Sequence, residues 1–370
     1  MKRFSTLILT VIFIMAVITP VCAAGPPKVS VDSTKVDFGM QPFMKDNTTM
    51  VPLRDISQAM GFKVTWTGKL KRIDIEGPNG KMVKLTAGNN YAAVDGRKVK
   101  MSVPAIIKNG KTFVPLRFVS QALGGTVDWY RTDNSVYINS GFLRDSLGKY
   151  SFAIDKSNGK IYSSIDGSHP KMIANLGQLN DQLFFTADST PAGNVLLTIR
   201  DNYGEPHMHN DIHTLYINYA NHTTKEVTAK YAFRFEDNIK FYNDQVVLTD
   251  GKIVYLIDDK SGKIKQKYDM VQLVGVDDKY FVEGMGDGFI MARPNSGGIL
   301  TLVDLESHEK VQLYKELLDK DERDYVETND IPYWGDFLKF TGQKGNRLYF
   351  RNNSQLNGED IRSYIYEMKK

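Results

Sequence analysis

Three histidines, His207, His209 and His213, are spaced H-x-H-x3-H, and four of the chain's six histidines fall between 207 and 222. Imidazoles are common ligands of zinc and copper, and on an extended strand these three positions share parity. They are the candidate metal ligands of this chain. The flanking PHMHND, with Pro206, Asn210 and Asp211, reads equally well as a solvated loop that holds no metal. Asp258-Asp259 and Asp277-Asp278 have the composition for acid–base chemistry or calcium binding. Both pairs flank hairpin turns, where aspartate is favoured because its carboxylate accepts nearby backbone N–H groups. Asp155-Lys-Ser-Asn-Gly159 and Asp259-Lys-Ser-Gly262 imitate calcium loops, but lysine takes a spacer position and no bidentate acid follows at the required distance. Tyr333, Trp334 and Phe337 form the densest aromatic cluster, either a sugar platform or core. The chain contains no G-x-S-x-G elbow, no H-E-x-x-H and no G-x-x-x-x-G-K phosphate loop. No catalytic residue is singled out, and no cofactor is expected.

The elements that would position such residues are announced by a repeat. Residues 50–66 read MVPLRDISQAMGFKVTW, and residues 113–129 read FVPLRFVSQALGGTVDW. Ten of the seventeen positions are identical at an offset of 63, and the offset also relates Val31 to Val94, Asp32 to Asp95, Ile73 to Val136 and Ile75 to Ile138. A fixed period means one supersecondary unit used twice. Asp95-Gly96, Asn109-Gly110, Asp32-Ser33 and Asp46-Asn47 are hairpin turns. Leu53, Ile56 and Met60 share one helical face, as do Leu116, Val119 and Leu123. Pro52 and Pro115 suit a first helical position, and Gly61 and Gly124 suit a left-handed C-cap. Val64 with Trp66, and Val127 with Trp129, take the inward phase of the next strand, so both tryptophans are expected in the core. Arg54 and Arg117 at the helix starts are expected to tie helix to sheet through an ion pair or carbonyl contacts.

The N-terminus reads MKRF, then a dozen apolar residues from Leu7 to Ile18, then Pro20 and VCAAG. This is the layout of a secretory signal peptide, residues 1–24, cleaved near Ala23 or Ala24. An uncleaved anchor and a lipoprotein at Cys22 are the alternatives; Val21 and Thr19 fit a lipidation site poorly. Cys22 is the only cysteine, so the mature protein has no disulfide and no thiolate site. Cleavage leaves about 345 residues, enough for two domains. The formal net charge is +4, falling to +2 without Lys2 and Arg3. No basic stripe interleaved with aromatics favours nucleic acid.

After a hinge at 140–148 the pattern changes. Segments 160–173, 214–227, 252–266, 299–313 and 363–368 each read as an alternating strand, a turn rich in Asp, Asn, Gly or Ser, and a second strand starting near a lysine. Strand signals at 183–186, 195–199, 246–248, 281–283 and 347–350 lie between them. The recurrence, every 40–60 residues, matches four-stranded propeller blades, and five would fill the length. A helix is expected over 314–323, with Leu313 and Leu317 on one face and a Glu316–Lys320 pair.

The pattern VDG…NGKTFVPLRFVSQALGGTVDW, with V-P-L-R-x-(I/V)-x-x-x-(L/M)-G in both halves, resembles the copper amine oxidase N-terminal-like, or stalk, domain found in secreted and envelope proteins of Gram-positive bacteria. The resemblance covers 28–140, with Gln58 and Gln121 where the family often has glutamate. It implies a non-catalytic module in which each unit wraps an antiparallel sheet on a helix. It does not imply amine oxidation, which requires a quinone formed in an Asn-Tyr-acid motif. The Asn-Tyr pairs here, at 90, 202 and 218, are followed by Ala92, Gly204 and Ala220.

The expected fold is therefore an α+β duplicated stalk-type domain at 28–140, followed by an all-β domain at 149–370. That second domain is a five-bladed β-propeller or, alternatively, a β-sandwich with an inserted helix. The expected function is a secreted or cell-wall-associated, non-catalytic protein whose second domain binds a cell-wall glycan or another envelope protein. No membrane span is expected after cleavage, and no nucleic acid partner. The alternatives are a secreted hydrolase or lyase acting on cell-wall or extracellular polysaccharide through the second domain, and a metal-binding sensor using the histidines.

Overall fold

The computed structural model describes residues 25–130, 132–180, 182–328, 335–354 and 361–368. The expected signal peptide, with Cys22, Ala23 and Ala24, lies outside the described residues, as do Tyr333 and Trp334. The chain divides into two compact units, one ending at Ser140 and the other combining Glu76–Met82 with Gly141–Lys370. Among the described residues no helix is long and apolar enough to cross a membrane.

The first unit runs β1 (Lys28–Val31), β2 (Thr34–Lys35), β3 (Phe43–Lys45), β4 (Thr48–Pro52), α1 (Leu53–Ala59), β5 (Lys63–Thr67), β6 (Arg72–Glu76), β7 (Met82–Thr86), β8 (Tyr91–Val94) and β9 (Arg97–Lys100). It continues through β10 (Ile106–Lys108), β11 (Lys111–Pro115), α2 (Leu116–Ala122), β12 (Thr126–Tyr130) and β13 (Ser135–Asn139). The strands form three sheets: β12-β13-β1-β2, β10-β11-β4-β3 and β5-β6-β7-β8-β9. The middle sheet in this series is built from both copies of the repeat. Val51 pairs with Val114, its own counterpart, between the pairs Met50–Pro115 and Pro52–Phe113. Antiparallel pairing of equivalent residues is local two-fold symmetry. In the same spirit β1, from the first copy, runs parallel to β13 of the second and extends its sheet.

Local chemistry explains the elements. All four expected hairpin turns have positive φ at both central residues, including Asn109 (49°) with Gly110 (74°) and Asp95 (48°) with Gly96 (80°), the backbone of type I′ turns. Leu53, Ile56 and Met60 are buried, as are Leu116, Val119 and Leu123. Each helix ends in a Schellman motif. Gly61, at φ 83°, donates to the Gln58 carbonyl, and Phe62 donates to that of Ser57. Gly124 and Gly125 repeat this on Gln121 and Ser120. The prolines sit one residue earlier than expected. Pro52 and Pro115 are the N-caps and also the last residues of β4 and β11, so strand passes into helix with no intervening turn.

The tryptophans correct the expectation. Trp66 is 40% exposed and Trp129 39%. Their strands, β5 and β12, are the edge strands of their sheets. A seven-residue helix is only about 10 Å long, whereas a five-residue strand extends about 17 Å. The helix therefore leaves the far end of each edge strand uncovered, and the tryptophan is there.

The second unit contains five successive antiparallel sheets in chain order. Sheet I uses Phe142–Leu147, Tyr150–Asp155, Lys160–Ile165 and Lys171–Asn175; sheet II uses Gln182–Ser189, Val195–Tyr203, His209–Asn218 and Thr223–Ala232. Sheet III uses Phe241–Tyr242, Gln245–Thr249, Ile253–Asp258 and Ile264–Asp269; sheet IV uses Tyr280–Gly286, Phe289–Pro294, Thr301–Asp304 and Lys310–Gln312. Sheet V has three described strands, Leu338–Lys344, Arg347–Asn352 and Arg362–Glu367. The five turn-bearing segments picked out in the sequence are the third and fourth strands of sheets I to IV and the third of sheet V. Each sheet packs on the next. Phe152 and Ile154 meet Leu197 and Leu215, Leu196 and Tyr216 meet Val246 and Ile257, Leu256 meets Val282, and Leu302 meets Leu348 and Phe350. Five separate sheets do not form the two layers of a sandwich.

The single helix expected over 314–323 is two helices, α4 (Leu313–Leu317) and α5 (Lys320–Thr328), preceded in the chain by an unanticipated α3 (Met270–Val274). Leu318 turns extended (ψ 150°), and the Asp319 carboxylate accepts from Glu322 N at 3.0 Å. That acid starts a new helix, so Glu316 and Lys320 fall on either side of the break.

Candidate functional site

The structure gives the three histidines separate tasks. His207 lies in the loop before the third strand of sheet II, edge-on to Phe233 with ring centroids 5.3 Å apart. His209 opens that strand and stacks on Tyr203 at 4.9 Å. His213 is buried, and its Nδ1 lies 2.8 Å from Thr228 Oγ1. Burial holds the His213 pKa below its ordinary value, because charging a desolvated ring is unfavourable. His209 and His213 flank Asp211 on one face of the strand. The Asp211 carboxylate is 3.0 Å from Lys230 Nζ. Among the described residues, no group of three or more His, Cys, Asp or Glu side chains could hold a metal ion.

The aspartates singled out in the sequence, buried or not, have structural partners. Asp258 Oδ1 accepts the Ser261 N–H at 2.8 Å and the hydroxyl at 2.6 Å, and Asp304 does the same with Ser307. These are the local hydrogen bonds that favour aspartate at a turn. Asp258 is held low by those Ser261 hydrogen bonds and by Lys265. Asp259 reaches across from sheet III to accept Ala192 N and Asn194 Nδ2 (2.6 and 3.0 Å) beside sheet II. Asp277 pairs with Lys252 at 2.6 Å, and Asp278 accepts the Ser296 N–H at 2.8 Å. Asp155 takes the Ser157 hydroxyl at 2.6 Å. Phe337 stacks on Tyr325 at 6.3 Å.

Sequence reading missed a fully buried ion cluster. Arg293 is fully buried. It donates to the Gly298 carbonyl (2.6 Å), the Leu338 carbonyl (2.6 Å) and Asp336 Oδ1 (2.8 Å), and it pairs with Glu283. Burial opposes its charge, but Asp336 and Glu283 outweigh that and hold its pKa above the ordinary value. Asp336 Oδ2 also accepts Leu300 N at 2.7 Å. No spacing rule joins residues 283, 293 and 336; only the packing of sheet IV on sheet V does.

In the first unit the repeat builds the same concavity twice. One groove, of about 380 Å³, includes Arg54, Val64 and Trp66 on one side and the β10–β11 hairpin of the other copy, with Ile107 and Gly110–Thr112, on the other. The second, of about 640 Å³, includes Arg117, Val127 and Trp129, with Met44 and Asn47–Thr49 of the β3–β4 hairpin opposite. Each set maps onto the other by the 63-residue offset. Arg54 and Arg117 are exposed, and neither has a hydrogen-bond or ion-pair partner among the described residues. The tie from helix to sheet expected of them is not made. In the first copy Asp55 instead ties the helix to the β2–β3 loop, accepting Gly39 N at 2.9 Å.

A duplicated α+β domain with twin surface grooves and a second unit of serial β-meanders define a modular protein. Residues 30–138 match the copper amine oxidase N-terminal domain family, so the chain carries a domain of that family. A protease inhibitor from Brevibacillus choshinensis is 29% identical over 91 residues, which are 25% of this chain and 27% of that protein. The chain thus spans about a quarter of the length of that relative. Among solved structures, the dihydro-heme d1 dehydrogenase NirN aligns with a TM-score of 0.25 at 10% identity, over 74% of this chain and 56% of that one. The WD40 domain of SCAP from fission yeast aligns at 0.24 and 10%, over 82% and 62%. Apo AztD from Citrobacter koseri aligns at 0.21 and 9%, over 68% and 84%. Scores this low carry no argument for the fold.

Proposed function

We propose that this is a secreted, non-catalytic envelope protein, in which the stalk-type domain attaches to the cell wall and the second unit, a five-bladed propeller, presents a surface to a partner. The observation that carries the reading is the contrast in how polar groups are used. In the second unit the buried acids Asp155, Asp201, Asp211, Asp259, Glu322 and Asp336 are each engaged by a donor from the fold. In the first, Arg54 and Arg117 lie exposed on open grooves without a partner among the described residues. A radial arrangement of sheets I to V is supported by segment 231–239. Tyr231 donates to the Tyr280 carbonyl (2.9 Å), Asn238 Oδ1 accepts Val282 N (2.7 Å), and Glu236 pairs with Lys339. One stretch thus reaches sheets IV and V from the end of sheet II, as a segment near the axis of a ring would.

The test is co-sedimentation of the full chain with purified Gram-positive cell walls. Saturable binding without release of soluble wall fragments is expected. Protein left in the supernatant, wall hydrolysis abolished by one carboxylate substitution, or stoichiometric inhibition of a protease would each replace this reading.

A further inference from the structure

We propose that the twin grooves of the first unit are two equivalent binding sites for one class of ligand, a linear polysaccharide of carboxylate-bearing pyranose rings. The proposal deepens the attachment reading and rests on it. The repeat supplies an internal control. Identical positions such as Leu53 and Leu116, or Gly61 and Gly124, are explained by burial and by positive φ. Arg54/Arg117 and Trp66/Trp129 are exposed, so packing does not require that they match. Exposed neighbours on the same strands have diverged, Lys63 to Thr126 and Thr65 to Asp128. Lys35/Lys98 and Gln58/Gln121 are also exposed and identical, but of the exposed side chains that match, only the arginine and the tryptophan line the grooves, and they do so in both copies.

The chemistry of the pair selects the ligand. An indole face is electron-rich and packs against the weakly positive C–H face of a sugar ring. A free guanidinium offers two parallel N–H donors that match a carboxylate. Each groove is an open cleft that sets the indole beside polar groups, Asp55 and Lys111 in the first and Asn47, Thr48, Thr49 and Ser102 in the second. The charge of the domain agrees. Residues 25–140 carry 17 Lys and Arg against 9 Asp and Glu, a net charge of +8, whereas residues 141–370 carry 28 against 34, a net −6. A field of that sign draws a polyanion to the first unit. Two sites in one domain would bind a long chain with avidity, gaining ~100-fold or more over a short oligomer.

The experiment titrates the full chain by calorimetry with four probes: tetragalacturonate, long polygalacturonate, its fully methyl-esterified form and inorganic polyphosphate. Expected are two tetragalacturonate sites per chain and tighter binding of the long polymer by ~100-fold. The ester should bind at least ~10-fold more weakly, since the charge-assisted pair is lost. Polyphosphate, which has charge but no ring to stack on the indole, should compete at least ~10-fold more weakly than polygalacturonate. Trp66→Ala should leave one site, at Trp129, and the Arg54→Gln, Arg117→Gln double variant should leave none. Because both arginines are exposed and unpaired, that variant keeps its fold, and an unchanged melting curve verifies this. Equal competition by polyphosphate, wild-type affinity in the arginine double variant, or no binding of polygalacturonate would overturn the proposal. If polygalacturonate fails while cell-wall sedimentation persists, this inference falls and the attachment reading stands.

Discussion

The two units solve the same problem, holding many short strands together without a disulfide, by different means. In the first, the sequence contains its own partner. Val51 pairs with Val114, the buried positions of α1 and α2 correspond at a fixed offset, and type I′ turns set four of the hairpins. In the second, each sheet is unlike the next in sequence, and polar side chains bridge them: Asp259 to Asn194, Tyr231 to Tyr280, Arg293 to Asp336. Repetition lets apolar contacts specify the assembly. Where repetition is loose, directional hydrogen bonds between buried groups supply the specificity, and each is costly to break.

That contrast can be broken most forcefully at Arg293. Arg293→Met leaves Asp336 buried without its counter-charge and Glu283 with only Lys339 at 4.0 Å, and should destabilise the second unit by about 3–5 kcal/mol. Adding Glu283→Gln and Asp336→Asn should restore most of the loss. Two-domain calorimetry checks it, and a first-unit transition that moved as well would show that the units do not melt independently. Next in size, Leu53→Ala and Leu116→Ala should each lower first-unit stability by about 2–5 kcal/mol. Similar values are expected, because both side chains are almost fully buried at equivalent positions. A large difference in urea midpoints would mean that the two copies no longer share the work.

The smallest effect is at His213 and depends on pH. Its folded-state pKa is depressed by burial, so below the ordinary histidine pKa the unfolded chain binds more protons than the folded one. The contribution is therefore intact above about pH 6.5 and is lost as pH falls toward the folded value. His213→Gln, which can still reach Thr228, should flatten the fall in second-unit melting temperature between pH 7 and 5. An unaltered slope would assign that fall to other groups.

The structure shows which parts of this were legible in advance. The helices at Leu53 and Leu116 were readable because apolar spacing and a following glycine are local signals. Several hairpins of sheets I, III and IV were readable because an aspartate at the turn accepts nearby backbone N–H groups, as Asp155, Asp258 and Asp304 do from Ser157, Ser261 and Ser307. Trp66 and Trp129 were misread because strand alternation tells which face a side chain takes, not whether a seven-residue helix is long enough to cover it. The break at Leu318 was missed because Asp319 caps the next helix, a choice that a helical pattern of leucines does not reveal.

By itself the sequence determined a module used twice, its turns and its helical faces, because these depend on contacts within a few residues or on a period that can be counted. Only the tertiary structure decided that the copies exchange strands across a local two-fold, that Arg293 sits in a buried cage of two acids, and that two tryptophans and two arginines line open grooves. Those facts rest on which distant segments meet and what they leave uncovered, and sequence spacing does not encode either.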